Sequence, residues 1–297
     1  MTALRACALA LLALTLAACV ARKPRPQPPS TSSPATPAAP VHETQLPQSQ
    51  RYRKTRDSEP DGVRVDIASL VEPVPKPEPR SRYGNKSPYS VLGKSYVVLP
   101  DARGYVERGI SSWYGAKFHG YMTSSLEPYD MYQFSAAHKS LPLPSWARVT
   151  NLENGKSVIV RVNDRGPFHD NRLIDLSYAA AVRIGIWPKG TGLVEVRAID
   201  PAHPEATPLP APQPVAPGEP HIYLQLGAFA ERANAERIER ELRAQRFGNV
   251  RIVTIDVDGR TIHRVRLGPL ADIDAADTTG KRLERLGFGT PRVAIDD

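Results

Sequence analysis

The stretch Val158-Ile159-Val160-Arg161-Val162-Asn163-Asp164-Arg165-Gly166-Pro167-Phe168, with Arg172-Leu173-Ile174-Asp175 behind it, decides how this chain is read. The first five residues are a β-branched run that predicts a strand. Asn163-Asp164 followed by Gly166-Pro167 ends it, because proline has no N–H for the ladder and Gly-Pro favours a turn. A second strand resumes at Arg172. Asp164 is therefore expected at a strand end, on a frame that holds it still, as sheet proteins present a working acid. An aspartate that merely caps its own turn fits the same position.

Working outward, short strands are expected over residues 108–114, 147–151 and 194–199. Asn154-Gly155, between Val149 and Val158, is the strongest hairpin signal in the chain. Two short helices are expected, one near residues 135–139 and one with Ser177 as N-cap running to Ile184. So many short strands between residues 105 and 200 predict a small barrel. Residues 218–297 read differently, as strand, helix, strand, strand, helix, strand. The helix over 233–246 sets Ala235, Ile238 and Leu242 on one apolar stripe, and a hairpin turns at Asp258-Gly259. This is a split βαβ sandwich in which alternation puts Tyr223 and Gln225 on one face and Leu224 and Leu226 on the other.

The rest of the 297 residues is not expected to pack. The chain has 30 prolines and a formal charge of 39 − 31 = +8, with most of the excess before residue 100, in Arg22, Lys23, Arg25, Arg51, Arg53, Lys54 and their neighbours. The later segments are near balance and carry no basic stripe interleaved with aromatics, so nucleic acid is not a partner. Arg5 precedes an apolar run over residues 6–18, too short for a lasting bilayer anchor and built like a secretory signal. Leu16-Ala17-Ala18-Cys19 resembles the bacterial lipobox, which makes Cys19 the expected lipid site and residues 1–18 a removable signal peptide. The other cysteine, Cys7, lies inside that signal, so no disulfide can hold the mature domains. Val20 is not Asp, and the sorting pattern of such lipoproteins then favours the outer membrane, facing the periplasm. Residues 19–104 read as a disordered proline-rich tether, reaching on the order of 200 Å if extended, and residues 201–217 as a second spacer.

The barrel segment also gathers polar residues. Glu127 and Asp130 lie in the 124–131 loop, His119 and His138 flank it, and Asp164 and Arg165 come from the turn. Trp113, Tyr114 and Trp146 supply aromatics. Two carboxylates with aromatic platforms are what cleavage of a glycosidic bond requires: an acid at the leaving oxygen and negative charge near a developing oxocarbenium ion. Core packing is the plainer reading of Trp113 and Trp146, and support of a short helix that of His138. His119, His138, His169 and Asp164 lack metal-ligand spacing. No metal or cofactor is expected. Asp164-Arg165-Gly166 is also not the Asp-Thr-Gly or Asp-Ser-Gly of an aspartic protease.

Trp113-Tyr114-Gly115, Phe118-His119-Gly120, Tyr129-Asp130-Met131, the run from Ala136-Ala137-His138-Lys139 to Pro144, and the run from Val160 to Phe168 together resemble the rare lipoprotein A family. The resemblance implies a double-psi β-barrel and lytic transglycosylase action on peptidoglycan strands stripped of stem peptides. It puts the two important carboxylates at Asp164 and Glu127 with His138 nearby, and makes Trp113, Tyr114, His119 and Arg165 candidate substrate contacts. One departure matters: the family usually has Gly before the glutamate, and here Leu126 stands there. Tyr121, in place of a common basic residue, is a smaller one. Tyr223-Leu224-Gln225-Leu226-Gly227-Ala228-Phe229, Asn234-Ala235 and Val265-Arg266-Leu267-Gly268-Pro269 resemble the sporulation-related repeat (SPOR) domain, which implies binding of peptide-free glycan at division septa, with Gln225, Arg264 and Arg266 as contacts. The implied partners are glycan strands, a membrane reached through lipid on Cys19, and septal division proteins. A non-catalytic, expansin-like wall-binding protein is the alternative that the Leu126 departure leaves open.

Overall fold

The computed structural model describes residues 52, 54, 56–61, 65–203 and 220–296. The expected signal peptide, Cys19, the start of the tether and most of the 201–217 spacer lie outside them.

Six strands close into a barrel: β3 (Val106–Tyr114), β4 (Ser135–His138), β5 (Ser145–Asn151), β6 (Ser157–Asp164), β7 (Arg172–Ser177) and β8 (Gly192–Ile199). Around the barrel they run β3-β7-β4-β6-β5-β8. The pairs β3–β7 and β4–β6 are parallel, the others antiparallel. The β5–β6 hairpin turns at Asn154-Gly155 as the sequence predicts, with Gly155 N–H on the Asn151 carbonyl (2.8 Å). Alternate residues fill the interior: Ala147 and Val149 from β5, Val158, Val160 and Val162 from β6, Ile174 and Leu176 from β7, and Val194 and Val196 from β8, none more than 1% exposed. Burial on that scale, about 25 cal/mol per Å² of apolar surface, holds the barrel closed.

Of the two predicted helices, one forms. α1 (Tyr178–Arg183) starts at Ser177, whose hydroxyl accepts the Ala180 N–H, and it buries Ala179, Ala180 and Ala181 against the barrel. Residues 135–138 are instead the strand β4, buried along its length. Helix-forming alanines there are overridden by pairing with β6 and β7 on both sides, a tertiary preference that local propensity does not contain.

The tether expectation is corrected among the described residues ahead of the barrel: Asp57 already accepts the N–H groups of Gly115 (2.8 Å) and Lys117 (3.0 Å), and Ser58 O that of Ala116 (2.9 Å). β1 (Tyr89–Val91) and β2 (Lys94–Tyr96) form a hairpin, and the preceding residues lie along the barrel as a strap. Ile67 is buried, Arg183 holds the carbonyls of Ile67 (2.9 Å) and Leu70 (2.6 Å), and Trp146 Nε1 donates to the Lys76 carbonyl (2.9 Å). Composition hides this because the strap is held by its backbone and a few charged side chains rather than by an apolar stripe.

The C-terminal unit has the predicted order: β9 (His221–Phe229), α2 (Arg232–Ala244), β10 (Val250–Val257), β11 (Arg260–Leu270), α3 (Ile273–Arg285) and β12 (Arg292–Asp296). Its sheet runs β10-β11-β9-β12. Ile222 and Leu224 of β9 meet Ala235 and Leu242 of α2 and Ala276 and Leu283 of α3 in the core, leaving the opposite face of the sheet without a helix.

Candidate active site

Strand β6 builds the site at its C-terminal end. Val162 pairs with Ala136 and Asp164 with Ala137, so two steps on β6 answer one on β4 and Asn163 is the extra residue. Such a bulge at a barrel rim re-aims the side chain that follows it. The 123–128 loop lies across this strand end, with Ser125 N–H on the Asn163 carbonyl (3.3 Å).

The loop then contacts the strand end twice. Ser124 donates its N–H (2.8 Å) and its hydroxyl (2.6 Å) to Asp164 Oδ1, and the Arg165 N–H reaches the same oxygen (2.7 Å). Oδ2 accepts no hydrogen bond from the described residues. Burial raises the Asp164 pKa above the usual carboxylate value, against the opposing pull of the Ser124 and Arg165 donors. Glu127, three residues on, receives Arg161 through Nη1 (2.6 Å) and Nη2 (3.0 Å) and Asn163 Nδ2 (3.0 Å). The Arg161 hydrogen bonds hold its pKa below the usual value, with Asn163 adding to them. The strand end thus carries a carboxyl whose pKa is raised by burial, and the loop one whose pKa is lowered by Arg161. That division is how a pair of like groups takes acid and anionic roles.

Leu126 adopts φ 62°, the left-handed conformation the family's usual glycine would supply. The turn survives the substitution because three hydrogen bonds fix it: Thr123 N–H to Glu127 O (2.8 Å), Leu126 N–H to Thr123 O (2.9 Å) and Glu127 N–H to Thr123 Oγ1 (3.3 Å). The side chain is strained in place and the loop is not redrawn.

The remaining candidates divide. Among the described residues His138 makes no hydrogen bond to Asp164 or Glu127: its ring is 1% exposed, Nδ1 accepts the N–H groups of Ser140 (3.2 Å) and Leu141 (3.0 Å), and Nε2 meets the Tyr105 hydroxyl (2.9 Å). The ring proton therefore sits on Nε2 and Tyr105 passes its own to Glu107 (2.9 Å). Burial, with Arg165 and Lys139 nearby, lowers the His138 pKa to about 3, so the ring is a neutral brace for the 138–141 turn. Arg165 is an internal pin and not a free contact: it donates to the carbonyls of Gly84 (2.7 Å), His138 (3.1 Å) and Leu141 (2.5 Å) and to Asn85 Oδ1 (3.2 Å). Tyr114 is buried and stacked on Tyr129 with ring centroids 4.1 Å apart, and Trp113 packs its edge against Tyr178. Both belong to the core. Trp146 is buried as well. His119 lies at the surface with Nδ1 accepting the Met131 N–H (3.2 Å).

On the C-terminal sheet, Gln225 and Arg266 are register partners on adjacent strands. Arg266 is 7% exposed and engaged by Asp296 through Nη1 (2.6 and 2.7 Å), so it is not a free cation. Arg264 is partly exposed, and Arg251 covers the Tyr223 ring at 4.1 Å.

Ser124, Arg161, Asn163 and Glu78 are site residues the sequence reading missed. For Arg161 and Asn163 a signal existed, since both stand two apart on the strand that carries Asp164. Glu78, which grips Arg161 from the strap, had none.

A closed six-stranded barrel with two parallel pairs and a carboxyl pair at its rim defines a double-psi β-barrel of the lytic transglycosylase type, followed here by a SPOR domain. The lytic transglycolase family matches residues 106–198 and the SPOR domain family residues 218–291. The chain belongs to the RlpA family of endolytic peptidoglycan transglycosylases. It is 38% identical over 284 residues to the endolytic peptidoglycan transglycosylase RlpA of Pseudomonas aeruginosa strain UCBPP-PA14, covering 78% of this chain and 83% of that one. It is 40% identical over 240 residues to the protein of that name from Vibrio cholerae, covering 80% and 87%. The crystal structure of the RlpA SPOR domain from Pseudomonas aeruginosa is 32% identical and covers 25% of this chain and 96% of that one, with a TM-score of 0.24.

Proposed function

We propose that this protein cleaves the bond between N-acetylmuramic acid and N-acetylglucosamine in peptide-free peptidoglycan strands, leaving a 1,6-anhydro end. The observation that carries the chemistry is the asymmetry of Asp164, with one oxygen gripped by three donors and the other free of them. When the group is protonated, the proton belongs on Oδ2 and points away from the grip. Oδ2–H gives that proton to the glycosidic oxygen as the C1–O bond breaks. The resulting carboxylate then takes the proton of the C6 hydroxyl as O6 closes on C1, which returns Asp164 to its starting state without water. Glu127, kept ionised by Arg161, stabilises the positive ring between the two steps.

The SPOR domain concentrates the barrel on denuded glycan at the septum, where linkage makes two weak interactions effective together. Gln225 and Arg264 are its proposed contacts, with Arg266 shaping the face through Asp296. Lipid on Cys19 would hold the protein at the outer membrane, facing the periplasm. Digestion of purified denuded glycan by the mature protein tests the reading. Anhydro-ended fragments from the wild type and none from Asp164→Asn support it. Reducing ends in their place, or binding without cleavage by the wild type, would overturn it.

A further inference from the structure

The strap ahead of the barrel reaches the site itself. Glu72 accepts the Ile159 N–H (3.0 Å), the Lys76 carbonyl accepts Trp146 Nε1–H (2.9 Å), Ser81 N–H holds the Leu143 carbonyl (2.8 Å), and the Gly84 carbonyl accepts Arg165 Nε–H (2.7 Å). Gly84, at φ 75°, lies so close to the loop that a Cβ there would stand 2.8 Å from the Ser124 carbonyl oxygen. Between these fixed points stands Glu78. It receives Arg161 Nε at 3.0 Å on Oε1 and 3.2 Å on Oε2, and Nη2 at 2.8 Å on Oε2. The side chains of Arg161 and Glu78 are 22% and 19% exposed, so this is not a solvated surface pair.

The guanidinium is thus held on two edges. Glu78 takes the side that carries Nε, and Glu127 takes the Nη1–Nη2 end. An arginine gripped by one carboxylate at a strand's surface keeps several rotamers, whereas a fork fixed from the side aims its remaining N–H groups in one direction. We infer that Glu78 is a positioning residue for the reaction: it orients Arg161 so that Arg161 can hold Glu127 in place as the anionic partner of Asp164. The inference rests on the proposed role of Glu127. It also places a functional residue outside the barrel, within the segment whose composition reads as tether.

Charge and geometry make opposite predictions here. Glu78→Ala removes both the negative charge and the grip. Glu78→Gln removes the charge but keeps an oxygen for Arg161 Nε. If Glu78 acted only as a second negative charge beside Glu127, either change would make Glu127 easier to ionise and move the acid limb of the pH–rate profile down. If it acts by orientation, Glu78→Ala loosens Arg161, the leading stabiliser of the Glu127 carboxylate, and the acid limb moves up; Glu78→Gln does not move it up.

The experiment uses the mature chain and denuded glycan across pH. Glu78→Ala is expected to lower kcat by about tenfold with KM within about twofold, the pattern of a displaced group acting in the transition state. Glu78→Gln, which keeps one acceptor for Arg161 but sets an amide NH2 where the second oxygen stood, is expected to lose clearly less than Glu78→Ala, about threefold. Equal loss in both variants, downward limbs in both, or a fall in thermal stability with unchanged kcat would overturn the inference. If the wild type does not cleave, the functional reading fails separately. The positioning claim is then read from the Glu127 carboxyl resonance by NMR titration, where Glu78→Ala must raise the pKa and Glu78→Gln must not.

Discussion

Ser124 holds Asp164 Oδ1 twice, through its backbone N–H at 2.8 Å and its hydroxyl at 2.6 Å. Both bonds favour the charged carboxylate, so they oppose the burial that raises its pKa. Ser124→Ala removes one of them and leaves the other. The Asp164 pKa should rise further, and the alkaline limb of the pH–rate profile should move to higher pH, with a kcat loss of about tenfold or less because the backbone donor still fixes the carboxyl. A limb that stays in place or moves down would mean the hydroxyl does not set this acid.

Asp164→Asn separates chemistry from stability. Asparagine keeps an oxygen for Ser124 and Arg165 but has no transferable proton, so cleavage should fall by about 10²-fold to 10⁴-fold, the range of a general acid. The fold should not suffer. A carboxyl whose folded pKa is raised gives stability below its unfolded pKa and loses it as pH rises through the folded value. At neutral pH the substitution removes that penalty. Thermal unfolding near pH 7 should be equal to or above wild type, and a clear drop would mean the acid is structural.

Activity should follow a bell in pH whose limbs can be assigned. In the proposed mechanism Asp164 acts protonated, so its raised pKa is expected to set the alkaline limb. Glu127 must be charged, and its lowered pKa sets the acid limb, below the usual carboxylate value. Glu127→Gln should lower kcat and abolish the acid limb while leaving the alkaline one. The stability contribution of Glu127 has the opposite sign to that of Asp164, being present above the unfolded pKa and lost as pH falls through the folded one. An acid limb retained in Glu127→Gln would assign that titration to another group.

What the sequence disclosed followed from how local the determining physics was. The Asn154-Gly155 turn, the Ser177 cap and the strand end at Asn163-Asp164 are each written within a few residues, and each forms as read. The strand at Ser135–His138 is not legible locally, because its alanines favour a helix and only pairing on both sides makes them a strand. His138 misled for a related reason. A histidine in a motif looks like chemistry, whereas its contacts with Ser140, Leu141 and Tyr105 make it a brace. Glu78 meets Arg161 across 83 residues, and no spacing rule spans that distance.

Leu126 offers a direct reading of backbone strain. At φ 62° a leucine costs about 1–2 kcal/mol relative to an ordinary conformation, and glycine costs nothing there but loses more entropy on folding, about 0.5–1 kcal/mol. Leu126→Gly should therefore leave stability unchanged or raise it by up to about 1.5 kcal/mol, with cleavage retained, since the Thr123–Glu127 hydrogen bonds already define the turn. Leu126→Val, whose branch at Cβ suits positive φ still less, should lower both stability and kcat. If the glycine variant is inactive, the leucine side chain has a role the backbone does not explain.

Removing the strap should cost more than a tether would. A chain beginning at residue 105 leaves Trp146 Nε1 without the Lys76 carbonyl, the Ile159 N–H without Glu72 and Arg165 without Gly84 and Asn85. Each of these four part-buried hydrogen bonds is worth roughly 0.5–1.5 kcal/mol, and losing them together would lower the melting temperature of a barrel this size by about 10 °C or more. A chain beginning at residue 65 keeps every one of these contacts and loses only those of Asp57 and Ser58 with residues 115–117, so it should melt well above the shorter chain and close to the full mature protein. Were the two truncations to melt together, the strap would be a passenger on the barrel, and Glu78 would have no fixed point from which to aim Arg161.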